Sequence, residues 1–380
     1  MKFLRDHRWI LLAATLFPRL LLFDFESGDY TGNLSIWYDT LKEGGFGSLK
    51  DGFHNYSPSY MYLMYLMSLT AIPKLWAIKL ISVFFDYLLA WAVYRLVADQ
   101  FSKKKAILAA VSALILPTVL FNSALWGQCD SVYTAFLLLS LGEMNRESYR
   151  RGMIWYALAF AFKIQAVFFI LVPLALFAHK KFRFREFLWI PLVYLLSIIP
   201  NWLAGRPFGE LLLIYVQQSE YNAGLSSFAP NIYQWLSWAP TELFTRFGIG
   251  FTAMLLALFF WGMFHIRVKL TPSLLVQVAL FSTLLLPFFL PKMHDRYFYP
   301  ADVLALIYVF FYPKKWYIPV LVVSASFFSY LYFLFATLTV FPFSVLALSM
   351  GLALLLVGRT LYFTLTEHHE NTNNTLSPTP

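Results

Sequence analysis

Cysteine is almost absent from this chain, and charge is scarce. Cys129 is the single thiol, which excludes an intramolecular disulfide and a cysteine-built zinc site. Asp, Glu, Lys and Arg make up 13% of the 380 residues, against roughly 25% in an average soluble domain. There is no P-loop, no Rossmann glycine pattern, no Ser-His-Asp order and no metal-ligand spacing. The sequence therefore points to no cofactor and no metal centre. His368-His369 is too isolated to ligate an ion. No internal repeat, heptad array or separate soluble domain is visible.

Apolar side chains fill the space that charge leaves. Hydrophobic residues reach 59% and aromatic residues 20%, with 40 Phe. A water-soluble core does not need so much apolar surface, whereas lipid-facing helices do. The expected fold is an all-α polytopic transmembrane bundle of about 12 spans, at 8–24, 76–97, 105–122, 129–143, 152–165, 165–179, 186–204, 247–266, 272–290, 298–312, 316–336 and 340–358. Several are short for a hydrocarbon layer about 30 Å thick, which implies tilt or re-entry. Lys2, Arg5 and Arg8 precede the first apolar stretch, and no small-residue cleavage site follows it, so that stretch reads as a signal-anchor.

The formal charge of +9 is broken into short clusters between apolar spans: Lys103 to Lys105, Arg146 with Arg150 and Arg151, Lys180 to Arg185, Arg267 with Lys269, and Lys314 with Lys315. That is the positive-inside pattern of cytoplasmic loops, and it excludes a continuous nucleic-acid-binding stripe. It also decides the status of residues 57–72 (SPSYMYLMYLMSLTAI). If they crossed, the later basic loops would change sides. Read instead as an interfacial segment with tyrosines at 60, 62 and 65, they leave the clusters on one face. Both termini are then cytoplasmic. Two long segments, 25–75 and 205–246, lie outside. Residues 1–366 form one domain, and the polar stretch 367–380 reads as a disordered cytoplasmic tail.

The residues able to do chemistry gather on the outer face. Asp29, between Gly28 and Tyr30, sits with Asp24 and Glu26 where the chain leaves the bilayer. A partly desolvated carboxylate suits general-base work; from position alone, a helix-end carboxylate solvating a loop is the plainer reading. Asn55-Tyr56-Ser57-Pro58 forms a turn that could close over a substrate. Between Asn122 and Ser131, Gln128 and Asp130 exceed what a short turn requires, and with Trp126 as a flat partner they suit sugar hydroxyls. Lys163, followed by Gln165 in an apolar stretch, asks for an anionic partner, with Asp130 one candidate. His294, Asp295, Arg296 and Tyr297, with Lys292, form a charged turn in which arginine is a natural fork for phosphate. Asn231 follows Pro230 in the second long outer segment, in a turn compatible with lining a cavity. Mid-span, Asp86 reads as a structural partner of Lys79 or Arg19, although proton relays also use such residues.

Taken together, Gly28-Asp29-Tyr30, Asn55-Tyr56-Ser57-Pro58, Asn122 to Ser131, Phe162-Lys163-Ile164-Gln165 and His294-Asp295-Arg296-Tyr297-Phe298 resemble the polyprenyl-phosphate-sugar-dependent membrane glycosyltransferases of the GT-C class. The likeness is strongest to the bacterial group related to the second GPI mannosyltransferase. It spans nearly the whole chain, with Ser57 standing where related glucosyltransferases carry a proline. The resemblance implies membrane-surface helices in the first outer loop and Asp29 as catalytic base. It implies inverting transfer of a hexose, mannose by preference, from a polyprenyl-phosphate donor to a glycan, glycolipid or protein acceptor. Arg296, His294 and Lys163 would hold the donor phosphate. Tyr30, Asn55, Tyr56, Trp126, Gln128, Asp130, Gln165, Asn231, Asp295 and Tyr297 would surround sugar and acceptor. No metal and no nucleic acid is implied, and the short cytoplasmic loops favour a bacterial plasma membrane. A multi-span transporter or lipid flippase is the rival class, and a non-catalytic assembly subunit a second.

Overall fold

In the computed structural model, residues 8–220, 224–266, 268–335 and 338–376 are described, so Lys2, Arg5, Arg267 and the last four tail residues lie outside the description. The chain is a bundle of α-helices with one two-residue strand pair. Among the described residues, six helices are long and apolar enough to cross a membrane: Lys74–Ala98, Phe184–Leu203, Thr241–His265, Pro272–Phe289, Pro313–Leu334 and Phe343–Glu367. A seventh is possible if Lys103–Ile115 and Pro117–Leu125, bent by 52°, count as one span. The bend falls where Pro117 forces Leu116 into extended geometry (ψ 130°). This chain is a membrane protein.

The other segments expected to cross are shorter. Asp130–Asn145 and Tyr149–Phe162 have 16 and 14 residues, about 24 and 21 Å at 1.5 Å per residue. The apolar run 165–179 starts as a 3₁₀ turn at Ile164 and continues as Leu171–Ala178, and Tyr299–Phe311 has 13 residues. Length and composition alone do not mark these as spans. The helix Pro58–Ser68 is also short, at 11 residues, and packs against the helix Ser35–Gly44 with Tyr60, Met61 and Met64 buried. The last helix runs Phe343–Leu376, so helical structure reaches into the stretch that the sequence assigns to a disordered tail.

Packing divides the spans into two kinds. Pro272–Phe289 is 78% buried and Lys74–Ala98 61%, whereas Phe184–Leu203 and Thr241–His265 are 17% buried and turn Leu203, Phe247 and Trp261 outward. In lipid, apolar contact between helices has little hydrophobic driving force, so close packing and polar ties matter more. One such tie lies in the middle of the bundle. Arg19 donates to Asp86 from Nε (3.1 Å) and Nη2 (2.9 Å), and Nη2 also reaches the Leu114 carbonyl at 2.9 Å. Ser123 donates to the same carboxylate oxygen. Both charged side chains are fully buried, so of the two partners considered for Asp86 it is Arg19 that pairs. Lys79 instead donates to the carbonyls of Leu22, Phe23 and Phe25, just past the end of the first helix.

We expect Arg19→Met to cost about 3–5 kcal/mol by stranding the Asp86 charge, and Arg19→Met with Asp86→Leu to cost clearly less. Unfolding in mixed micelles reads both. A double variant as unstable as the single one would mean that the pair itself carries the stability.

The second long segment, 205–246, contains the helix Phe208–Glu220 and the strand Ser226–Ser227, which pairs in parallel with Met293–His294. Tyr233 donates to the Phe289 carbonyl at 2.8 Å. A β-carbon at Gly248 would collide with that hydroxyl at 1.8 Å, so glycine permits the close approach. By these contacts the segment is fastened beside the turn that carries His294 to Tyr297.

Candidate active site

Five short strings far apart in sequence meet at one place. Asp29 stands one residue before a π-helical turn, Tyr30–Leu34. Its Oδ2 accepts hydrogen bonds from Trp126 Nε1 (2.9 Å), Gln128 Nε2 and Arg296 Nη1 (3.0 Å). The turn that supplies Trp126 and Gln128 depends on Gly127, whose φ of +79° is a left-handed conformation that glycine adopts without steric cost. Tyr56 donates to Gln128 Oε1 at 2.8 Å, which leaves the Gln128 amide nitrogen facing Asp29. The Tyr56 turn is itself anchored. Ser57 and Ser59 donate to the carbonyls of Phe162 and Ala161 (2.7 and 3.0 Å), beside Lys163.

Behind this layer lies a second carboxylate. Asp130 is fully buried, accepts from Asn122 Nδ2 at 2.8 Å and is ion-paired with Lys163, with Arg296 Nε 3.7 Å away. Lys163 thus has the partner considered for it in the sequence. Arg296 lies 5.0 Å over the Trp126 ring, which together with the two carboxylates fixes its guanidinium.

A cavity of about 100 Å³ opens in front of Asp29. Of the sequence candidates, Asp29, Asn55, Tyr56, Gln128 and Lys163 line it, as do Gln165, His294, Arg296 and Tyr297. Tyr30, Trp126, Asp130, Asp295 and Asn231 do not. Trp126 is no open platform for a sugar: it is fully buried and stacks on Phe333 at 4.9 Å. Tyr30 packs into an apolar cluster with Leu34, Trp37 and Tyr38. Asn231 is buried as a cap, accepting from Tyr233 N at 3.2 Å and donating to the Pro287 carbonyl at 3.4 Å. Asp295 accepts the Arg296 backbone N–H at 2.9 Å, and burial pushes its carboxyl up to about 7.

His294 corrects an expectation about charge. Burial, together with Arg296 and Lys163 nearby, pushes its imidazole down to about 3. It enters the site as a neutral ring near pH 7, and the positive charges facing the cavity are those of Arg296 and Lys163.

Four wall residues, Asn33, Leu34, Trp37 and Gln218, had no motif to announce them. Trp37 reaches the cavity from the helix Ser35–Gly44, with its ring 5.1 Å from Tyr56, and Asn33 lies near it. Gln218 comes from the helix Phe208–Glu220 and donates to the Asn55 carbonyl at 2.8 Å. The side-chain oxygens of Asn55, Gln165 and Gln218 are buried and accept no hydrogen bond among the described residues. Such acceptors are costly when unpaired, and they are suited to ligand hydroxyls. Gln165, Gln218 and Tyr297 also form part of the wall of a second, mostly apolar cavity of about 260 Å³, lined further by Phe168, Ile249 and Leu290.

The two long segments, 25–75 and 205–246, are joined by His54 and Arg206. His54 Nδ1 donates to the Tyr56 carbonyl (2.9 Å), so Nε2 is left to accept from Arg206 Nη1 at 3.3 Å. Burial and the Arg206 charge push His54 down to about 4, below its ordinary 6.5. The folded state therefore binds fewer protons than the unfolded state between these values. The stability contributed by neutral His54 is complete above about 6.5 and is lost as pH falls toward 4. His54→Gln keeps a donor and an acceptor without the titration. We expect the wild type to lose about 2 kcal/mol more than this variant between pH 7.5 and 4.5, by thermal unfolding in nanodiscs. Parallel pH profiles would contradict the assignment.

Among the described residues, no group of three or more His, Cys, Asp or Glu is placed to hold a metal ion. No family model matches the chain, and no curated protein matches its sequence.

Proposed function

We propose that this protein is an inverting membrane glycosyltransferase that uses a polyprenyl-phosphate-linked hexose, mannose by preference. The observation that carries the reading is the junction of two cavities. A small polar chamber holds Asp29, Arg296 and Lys163, and it shares Gln165, Gln218 and Tyr297 with an apolar cavity. A sugar phosphate fits the chemistry of the first, and a hydrocarbon chain fits that of the second. The apolar cavity is lined by Thr245 and Ile249 of Thr241–His265, the span that turns most of its surface to lipid, so a membrane-borne chain has a short route in.

The chemistry follows from the placement. Asp29 takes the proton of the acceptor hydroxyl as its oxygen bonds to the anomeric carbon. The bond from that carbon to the phosphate oxygen breaks, and the lipid phosphate leaves with both electrons. Arg296 and Lys163 stabilise the charge that develops on it. In the unliganded site Arg296 is bound to Asp29; a donor phosphate competes for the guanidinium and frees the carboxylate to act. The unpartnered oxygens of Asn55, Gln165 and Gln218 accept from sugar hydroxyls, and Trp37 offers an apolar edge. The acceptor is a glycan, glycolipid or protein. The positive-inside charge pattern puts this chamber on the outer face of what we take to be a bacterial plasma membrane, with both termini inside. The foothold of the rival transporter reading is Asp86, whose Oδ2 accepts from Arg19 and Ser123, a pairing that supports the structural reading of that residue.

Filling the apolar cavity tests the reading. Ile249→Trp is expected to raise KM for a long-chain polyprenyl-phosphate-hexose about tenfold, equivalent to about 1.4 kcal/mol, and to leave a short-chain water-soluble donor nearly unaffected. An equal response from both donors would remove this cavity from donor binding.

A further inference from the structure

At the far end of the Tyr149–Phe162 helix, about 20 Å from Lys163 by helical rise, lies an open cleft of about 690 Å³. It is lined by Arg150, Arg151, Lys181, Arg183 and Arg185, against two acids, Glu147 and Glu186. All five cations are exposed. Glu186 is engaged by Arg185 (3.3 Å) and by the Trp189 indole N–H (3.2 Å), and Arg150 lies 4.9 Å over the Trp189 ring. Arg151, Lys181 and Arg183 form no ion pair among the described residues. Mutual repulsion in such a cluster is relieved by an anion.

The position of the cleft indicates which anion. Arg185 and Glu186 of its lining belong to the first turn of Phe184–Leu203, a span only 17% buried and therefore facing lipid. Phe184 and Leu188, at the start of that span, are 67% and 57% exposed, and Trp189 is an interfacial residue type. Free cations and outward apolar side chains thus meet where hydrocarbon gives way to headgroups. We infer that this cleft binds the phosphate headgroup of an anionic phospholipid, whose acyl chains run along the outer face of Phe184–Leu203. The site is independent of the chamber around Asp29 and of the reaction proposed there.

Native mass spectrometry of the full-length protein, released from nanodiscs of equimolar phosphatidylglycerol and phosphatidylcholine, reads lipid retention directly. The wild type is expected to retain phosphatidylglycerol over phosphatidylcholine by about tenfold, and Arg151→Gln with Arg183→Gln to reduce that preference at least about fivefold. Lys103→Gln with Lys104→Gln, in a different basic cluster, is expected to retain it. Lys181→Gln gives an intermediate loss and serves if the double variant does not fold. The inference is overturned if the wild type shows no preference, if the cleft variants retain it, or if both clusters lower it equally. The last result would mean that diffuse basic charge, rather than this cleft, attracts the lipid.

Discussion

Asp29→Asn is expected to lower sugar transfer by about 10³-fold while donor binding changes little. The substitution keeps the shape of the side chain and an oxygen able to accept from Trp126 and Gln128, which now hold Asp29 Oδ2. Asp29 is partly open, at 20% side-chain exposure, so loss of its charge does not empty a core. On the proposed mechanism, what is lost is the group that receives the acceptor proton. Because Arg296 no longer has a carboxylate at 29 to bind, its guanidinium is freer for the donor phosphate, and donor affinity is expected to hold or rise slightly. Equilibrium binding of a labelled polyprenyl-phosphate-hexose, measured beside turnover, separates the two effects. Loss of binding in step with turnover would assign Asp29 to donor recognition instead. Unchanged turnover would remove it from the mechanism and direct attention to Asp130, the carboxylate behind it.

The second large effect is expected at Arg296. Its guanidinium lies 3.0 Å from Asp29 and 3.7 Å from Asp130 and is fixed over Trp126. It is thus a preorganised cation aimed at the chamber. Removing one such donor from a transition state typically costs 10²–10³ in rate. Arg296→Lys is expected to lose about 10² in kcat, because a single ammonium cannot serve two acids and a phosphate as a planar fork does. Asp130 keeps Lys163 and Asn122 in that variant, so the fold survives, which retained thermal stability checks. A kcat unchanged from wild type, with only KM raised, would show that Arg296 binds the ground state and contributes nothing further as the phosphate leaves.

How far the site was legible in the sequence depends on the kind of feature. Apolar periodicity and scarce charge indicate a helical membrane protein, and the polar strings containing Asp29, Tyr56, Gln128, Lys163 and Arg296 do converge on one chamber. The Lys163–Asp130 and Arg19–Asp86 pairs were also foreseeable, since a charge in an apolar stretch needs a partner. Side-chain direction was not. Trp126 and Asp130 belong to the same string as Gln128, but a π-helical turn and Gly127 send only Gln128 to the cavity wall. Gln218 had no motif around it, and its role comes from the packing of the Phe208–Glu220 helix against Asn55. The neutrality of His294 depends on burial beside two cations distant in sequence, which no local pattern encodes. Span number differs for a similar reason: apolar runs such as 165–179 look like crossings in sequence, while breaks at Lys163 and Ile170 shorten the helices they form, and six or seven helices among the described residues are long and apolar enough to cross.

The most direct test of the central proposal is hexose transfer by the purified wild-type protein in nanodiscs, with the same labelled sugar offered on polyprenyl phosphate or on a nucleotide, and a mixed glycolipid and glycan extract as acceptor. The account predicts labelled product from the lipid-linked donor alone, with inverted anomeric configuration and one equivalent of polyprenyl phosphate released per sugar transferred. Product from the nucleotide sugar, or movement of the intact lipid-linked sugar across the bilayer without transfer, would contradict it.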